Sequence, residues 1–212
     1  MTLIQIYESM KSLGEEVKDT EFTPSELTRF IRSLIGNVDS RVSTTRDSNV
    51  DLDQIIIGGL YDPHDDEAGA KSITIYVTYN PDQKTIKIAD IDWPQVCIDL
   101  IECSGHEIVH QRQYRARDFD IGSTMFVSGN DDEHMQNDQN YLGNPDEIDA
   151  YAYSIAVEIY LKHRPPKLNS KYMSQTAMYK AYKNAFGAEH SIVNQLVKLT
   201  VDYYIQLSSL PV

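Results

Sequence analysis

The sequence predicts an α+β fold, and three observations carry that expectation. Alternating apolar residues mark strands between positions 54 and 89, as in Ile73, Ile75, Val77 and Tyr79 on one face. Apolar residues at helical spacing recur on both sides of that segment. Capping and breaking residues stand where those helical patterns begin and end. The expected architecture is a small β-sheet packed on a central helix, with further helices at both ends of the chain.

The elements follow in order. Residues 1–13 form an amphipathic helix with Leu3, Ile6, Tyr7 and Met10 on one side. Thr23-Pro24-Ser25-Glu26 is a capping box before Leu27, Phe30, Ile31 and Leu34, and Gly36 closes that helix. The polar stretch 37–53 reads as loop. The Ile55-Ile56-Ile57 run within 54–60 reads as a buried strand. The alternating segment 71–79 reaches a turn at Asn80-Pro81-Asp82-Gln83, and 84–89 returns with Ile86 and Ile88, which predicts a hairpin. Trp93-Pro94 opens a helix over about 93–117, with Asp92 as its cap and Val96, Leu100, Ile101 and Ile108 as its apolar residues. The polar, acidic stretch 118–140 reads as one long loop. Asn144 caps a helix starting at Pro145 that runs to about 162 and stops before Pro165-Pro166. Its apolar stripe is Ile148, Ala152, Ile155 and Ile159. Helices over 176–186 and 191–207, parted near Gly187, complete the chain, with Tyr179, Tyr182, Tyr203 and Tyr204 as packing residues.

Composition bounds the function. At 212 residues and 41% hydrophobic content, the simplest organisation is one domain. It would comprise N-terminal helices over 1–50, the sheet and site helices over 51–163, and C-terminal helices over 164–212. No apolar run reaches 18 residues, and the N-terminus lacks the regions of a signal peptide. These features imply no membrane partner and a cytoplasmic location, or a host-cell or virion location if a phage encodes the chain. A net charge of −13 argues against nucleic acid as a partner. It serves solubility or favours a basic protein substrate. Cys97 and Cys103 share one expected helix without facing each other, and read as reduced core thiols. No P-loop, dinucleotide fingerprint or internal repeat is present.

The chemistry concentrates in His106-Glu107-Ile108-Val109-His110. Residues four apart on a helix point the same way, so both imidazoles can reach one metal ion. Glu107 is rotated by about 100° from His106. It is too far round to be a natural ligand, yet placed to act on a water as general base. This is the H-E-x-x-H pattern of zinc hydrolases, which makes Zn2+ the expected cofactor. Catalytic zinc takes a third protein ligand. Glu147, on the helix after Asn144, is favoured because Ala150 and Ser154 beside it leave room for a neighbouring helix. Asp149 is the reserve, and His134 in the loop is a more distant alternative. Asp131-Asp132-Glu133 reads as a solvated charge run.

HEIVH followed some forty residues later by Glu-x-x-Ala on a second helix resembles the gluzincin branch of the zincin metallopeptidases. The pattern Tyr…Asn-x-x-Glu-x-x-Ala is similar to that of the catalytic domain of anthrax lethal factor and of phage and bacterial metallopeptidases. The resemblance covers residues 93–160. It implies a zincin-like fold and a zinc peptidase held by His106, His110 and Glu147. Glu107 would be the general base of peptide hydrolysis, and Tyr141 would steady the oxyanion. A protein or peptide substrate would lie along one strand edge. Where the group commonly has an acidic residue four positions after the third ligand, this chain has Tyr151. Two other function classes fit the same sequence: a non-catalytic binding protein on a zincin scaffold, and a zinc hydrolase of a non-peptide amide.

Overall fold

The local signals read from the sequence fold as their chemistry requires. The computed structural model describes residues 3–35, 40–120, 126–130 and 132–209. Gly36 and Asp131 lie outside the described residues. Helix α1 (Leu3–Glu16) leads to a short strand β1 (Glu21–Phe22) and helix α2 (Pro24–Leu34). The capping box closes as expected: the Glu26 amide donates to Thr23 Oγ1 at 3.4 Å, and the Thr23 amide to Glu26 Oε2 at 2.8 Å. Helix α4 (Trp93–Ala116) starts where Asp92 Oδ1 accepts from the Gln95 amide at 3.2 Å.

Contacts divide the chain into two compact units, residues 1–111 and 112–211, with the division inside α4. The first unit holds strands β2 (Ser40–Arg46), β3 (Ile56–Tyr61) and β4 (Ile73–Tyr79), in the order β2-β4-β3. The short helix α3 (Pro63–Glu67) joins β3 to β4. Strand β4 pairs parallel with β2 and antiparallel with β3. Its Ile73, Ile75, Val77 and Tyr79 are buried, which is the face the alternation assigned to the core. Ile56 and Leu60 on β3 remain about half exposed, at 51% and 52%.

Three expectations are corrected. Residues 40–46 form a strand although their polar composition reads as loop; the parallel ladder to β4 supplies what local hydrophobicity does not. The expected hairpin between 71–79 and 84–89 does not form. Strand β5 (Ile86–Lys87) pairs antiparallel with β1 instead. The stretch 118–140 is not one loop, because helix α5 (Glu133–Leu142) starts within it, capped by Asp132.

In the second unit, helix α6 (Pro145–Lys162) packs along α9 (Ser191–Ser209), with α7 (Ser170–Met173) and α8 (Ala177–Phe186) between them in sequence. Ile148, Ala152, Ile155 and Ile159 of α6 are all buried, as their spacing requires. No helix among the described residues is long and apolar enough to cross a membrane.

The start of α4 is fixed by a close approach. The Trp93 indole donates to the Met10 carbonyl at 3.1 Å and stacks on Phe30 at 5.7 Å. A Cβ at Gly14 would lie 1.9 Å from Trp93 Nε1. Gly14→Ala should therefore destabilise the protein by about 1–3 kcal/mol through overpacking. Urea unfolding followed by the fluorescence of Trp93, the single tryptophan, measures this. An unchanged midpoint would show that the indole moves aside freely.

Candidate metal centre

Helix α4 is buried on nearly all sides from Trp93 to Val109, so its polar residues sit in a desolvated setting. His106 is 8% exposed and Glu107 is 6% exposed. One helical turn brings the imidazoles together: His106 Nε2 and His110 Nε2 lie 3.0 Å apart, with the rings edge to face. Two nitrogens bonded to one tetrahedral ion at 2.0–2.1 Å stand roughly 3.3 Å apart, so the pair is already near the separation an ion imposes.

Glu107 lies against the sheet. A Cβ at Gly59 of β3 would come within 2.6 Å of Glu107 Oε1 and of Cys103 Sγ. Glycine is what lets the strand backbone approach the carboxylate this closely. The Gly58-Gly59 pair inside an apolar strand was the sequence signal for such an approach. Gln111, one residue beyond His110, donates to Ser72 Oγ at 3.0 Å and Asp66 Oδ1 at 3.3 Å, tying α4 to the β3–β4 connection.

The expected third ligand, Glu147, is on α6. Asn144 caps α6 by accepting from the Asp146 amide at 3.1 Å, which sets Glu147 in the first turn. His106, His110 and Glu147 each offer one ligand atom, and these atoms lie within 4.8 Å of one another. The group could hold a metal ion. Two imidazole nitrogens and a carboxylate oxygen are a donor set that zinc accepts.

The reserve residues are elsewhere. Both oxygens of Asp149 are engaged: Oδ2 accepts from Gln113 Nε2 at 3.0 Å and Oδ1 from the Tyr203 hydroxyl at 2.9 Å. His134 is exposed on α5 and outside the metal-ligating group. Cys97 and Cys103 are both free thiols. Burial pushes the Cys97 thiol up to about 12, and burial with the nearby charge of Glu107 pushes Cys103 up as well.

Around Glu147 stands a group of tyrosines that the sequence reading treated only in part. Tyr141, at the end of α5, has its hydroxyl 3.1 Å from that of Tyr151. Its residue is half exposed, yet desolvation of the hydroxyl end, the Tyr151 hydrogen bond and the Glu147 charge all raise its pKa. Tyr141 therefore stays a neutral hydroxyl. Tyr182 of α8 is fully buried, with its ring 6.1 Å from that of Tyr151. Burial, then the charge of Glu147, keeps it protonated. Among the described residues its hydroxyl has no hydrogen-bond partner. Such a group costs about 1–3 kcal/mol. Tyr182→Phe should thus retain stability or gain about 1 kcal/mol in urea unfolding. A loss of that size would reveal a bonded hydroxyl.

Comparison with protein-family models, with curated proteins and with solved structures finds no match for this chain.

Proposed function

We propose that the protein is a zinc-dependent metallopeptidase of the gluzincin type, acting on protein or peptide substrates. The observation that carries this reading is the convergence of His106, His110 and Glu147, with Glu107 buried on the same helix one residue from the first histidine. The ligand atoms fit zinc in number and chemistry. Zinc, when bound, supplies Lewis acidity: it makes a water acidic and polarises a carbonyl.

The chain's own residues supply the rest. Glu107 accepts a proton from the attacking water and returns it to the leaving amine, which is the role of a general base turned acid. Its contact with the Gly59 backbone restrains where its carboxylate can point. Tyr141 brings a neutral hydroxyl that donates to the developing oxyanion. Strand β3 ends the β2-β4-β3 order, so its outer edge offers amides and carbonyls to an extended peptide. Exposed Ile56 and Leu60 on that strand add apolar contact for the substrate.

Two measurements test this. Elemental analysis of the purified protein should find about one zinc per chain, reduced in His106→Ala and in Glu147→Ala. A peptide-library digest should show cleavage that a chelator stops. Glu107→Gln should keep the metal and lose roughly 10²- to 10⁴-fold in turnover. Wild-type turnover by that variant would remove Glu107 from the mechanism. Metal-free protein would leave a hydrogen-bonded imidazole pair in place of the proposed centre.

A further inference from the structure

The two carboxylates that flank Glu147 are both tied to the end of α4. Gln113 follows His106 by seven residues, and Arg117 follows His110 by seven. Seven residues are close to two turns, so the imidazoles and these two donors fall along one side of the chain. On α6, Asp146 and Asp149 are three apart and share a face. Gln113 Nε2 donates to the Asp146 carbonyl at 3.1 Å and to Asp149 Oδ2 at 3.0 Å. Arg117 makes a two-pronged ion pair, Nη1 to Asp146 Oδ1 at 2.9 Å and Nη2 to Oδ2 at 2.6 Å. Its guanidinium lies over the Tyr114 ring, 4.1 Å from the centroid. From α9, the Tyr203 hydroxyl holds the other oxygen of Asp149 at 2.9 Å.

A two-pronged guanidinium–carboxylate pair fixes distance and angle together. Rotating α6 by one residue, about 100°, would break every one of these bonds and turn Glu147 away. We infer that Gln113 and Arg117 are positioning residues, which hold α6 in the register that aims Glu147 at the His106–His110 pair. This rests on the metal reading above and deepens it: Asp146 and Asp149 are brackets, and Glu147 is the residue they leave for the ion. Partners behind the ligands of metal sites typically change affinity by about 10- to 100-fold when removed.

The test uses full-length protein with zinc alone, and with cobalt(II) alone as a spectroscopic probe. Arg117→Gln and Gln113→Ala should each weaken zinc about 10-fold and alter the visible absorption of the cobalt form. Arg117→Lys keeps the charge but loses the fork, and should recover only part of the affinity. Lys162→Ala breaks the 2.7 Å ion pair with Glu158 at the far end of α6 and should leave zinc affinity unchanged. Circular dichroism and thermal melts identify any variant that fails to fold; the Arg117→Lys comparison then decides. Parent-like zinc affinity and cobalt spectra in the Gln113 and Arg117 variants would overturn the positioning role alone. An equal loss in Lys162→Ala would do the same, by reducing the effect to helix stability. A parent protein that takes up neither metal would overturn the metal centre, and the positioning role with it.

Discussion

The constraint on which the structure turns is that α4 carries His106 and Glu107 into a desolvated interior. A titratable side chain taken out of water costs several kcal/mol unless a partner compensates it. Most of the surface of α4 is covered, so these residues cannot turn to solvent. At 8% and 6% exposure they depend on partners inside the protein. Ionisable groups enclosed in this way are concentrated at sites that bind or react.

Holding one helix in place at several points is the fold's answer to that constraint. At the start of α4, Trp93 is trapped between Met10 and Phe30 over the bare Gly14. Midway, the strand backbone at Gly59 rests against Cys103 and Glu107. Beyond the histidines, Gln111 reaches Ser72 and Asp66. At the far end, Gln113 and Arg117 grip α6. Two of these four points are glycines whose missing side chain is the contact surface. That makes their packing sensitive to a single added methyl group.

What the sequence disclosed followed from whether a signal was local. The capping box at Thr23, the Asp92 and Asn144 caps and the apolar stripe of α6 depend on residues within a few positions of one another, and all were readable. So was the His106–His110 pair, because helix periodicity alone brings the rings together. Strand β2 was hidden because Ser40–Arg46 offers a single aliphatic residue, Val42, and is held by β4 some thirty positions away. The hairpin expectation failed for a related reason. Alternation identifies a strand without naming its partner, and β5 pairs with β1 across sixty-odd residues. Helix α5 escaped because its polar surface lacks an apolar stripe, and its Asp132 cap resembles any acidic loop residue. Gln113 and Arg117 belong to the same class: each acts only on something distant in sequence.

The start of α6 shows how three neighbouring carboxylates come to differ. Asp146 and Glu147 lie in the first helical turn, where the backbone dipole favours negative charge, and Asp149 just beyond it. Charge alone cannot choose among them. Helix rotation does: Asp146 and Asp149 share one face, and Glu147 stands about 100° round from Asp146. The shared face meets a guanidinium, an amide and a phenol, which satisfy both aspartates by hydrogen bonds. Glu147, longer by one methylene and turned from those donors, meets the two imidazoles and the tyrosines. Replacing an aspartate at either bracket with a glutamate would keep the charge and change the reach. Which carboxylate at this turn lies beside the imidazoles is thus decided by side-chain length and angular position, two properties of the helix itself.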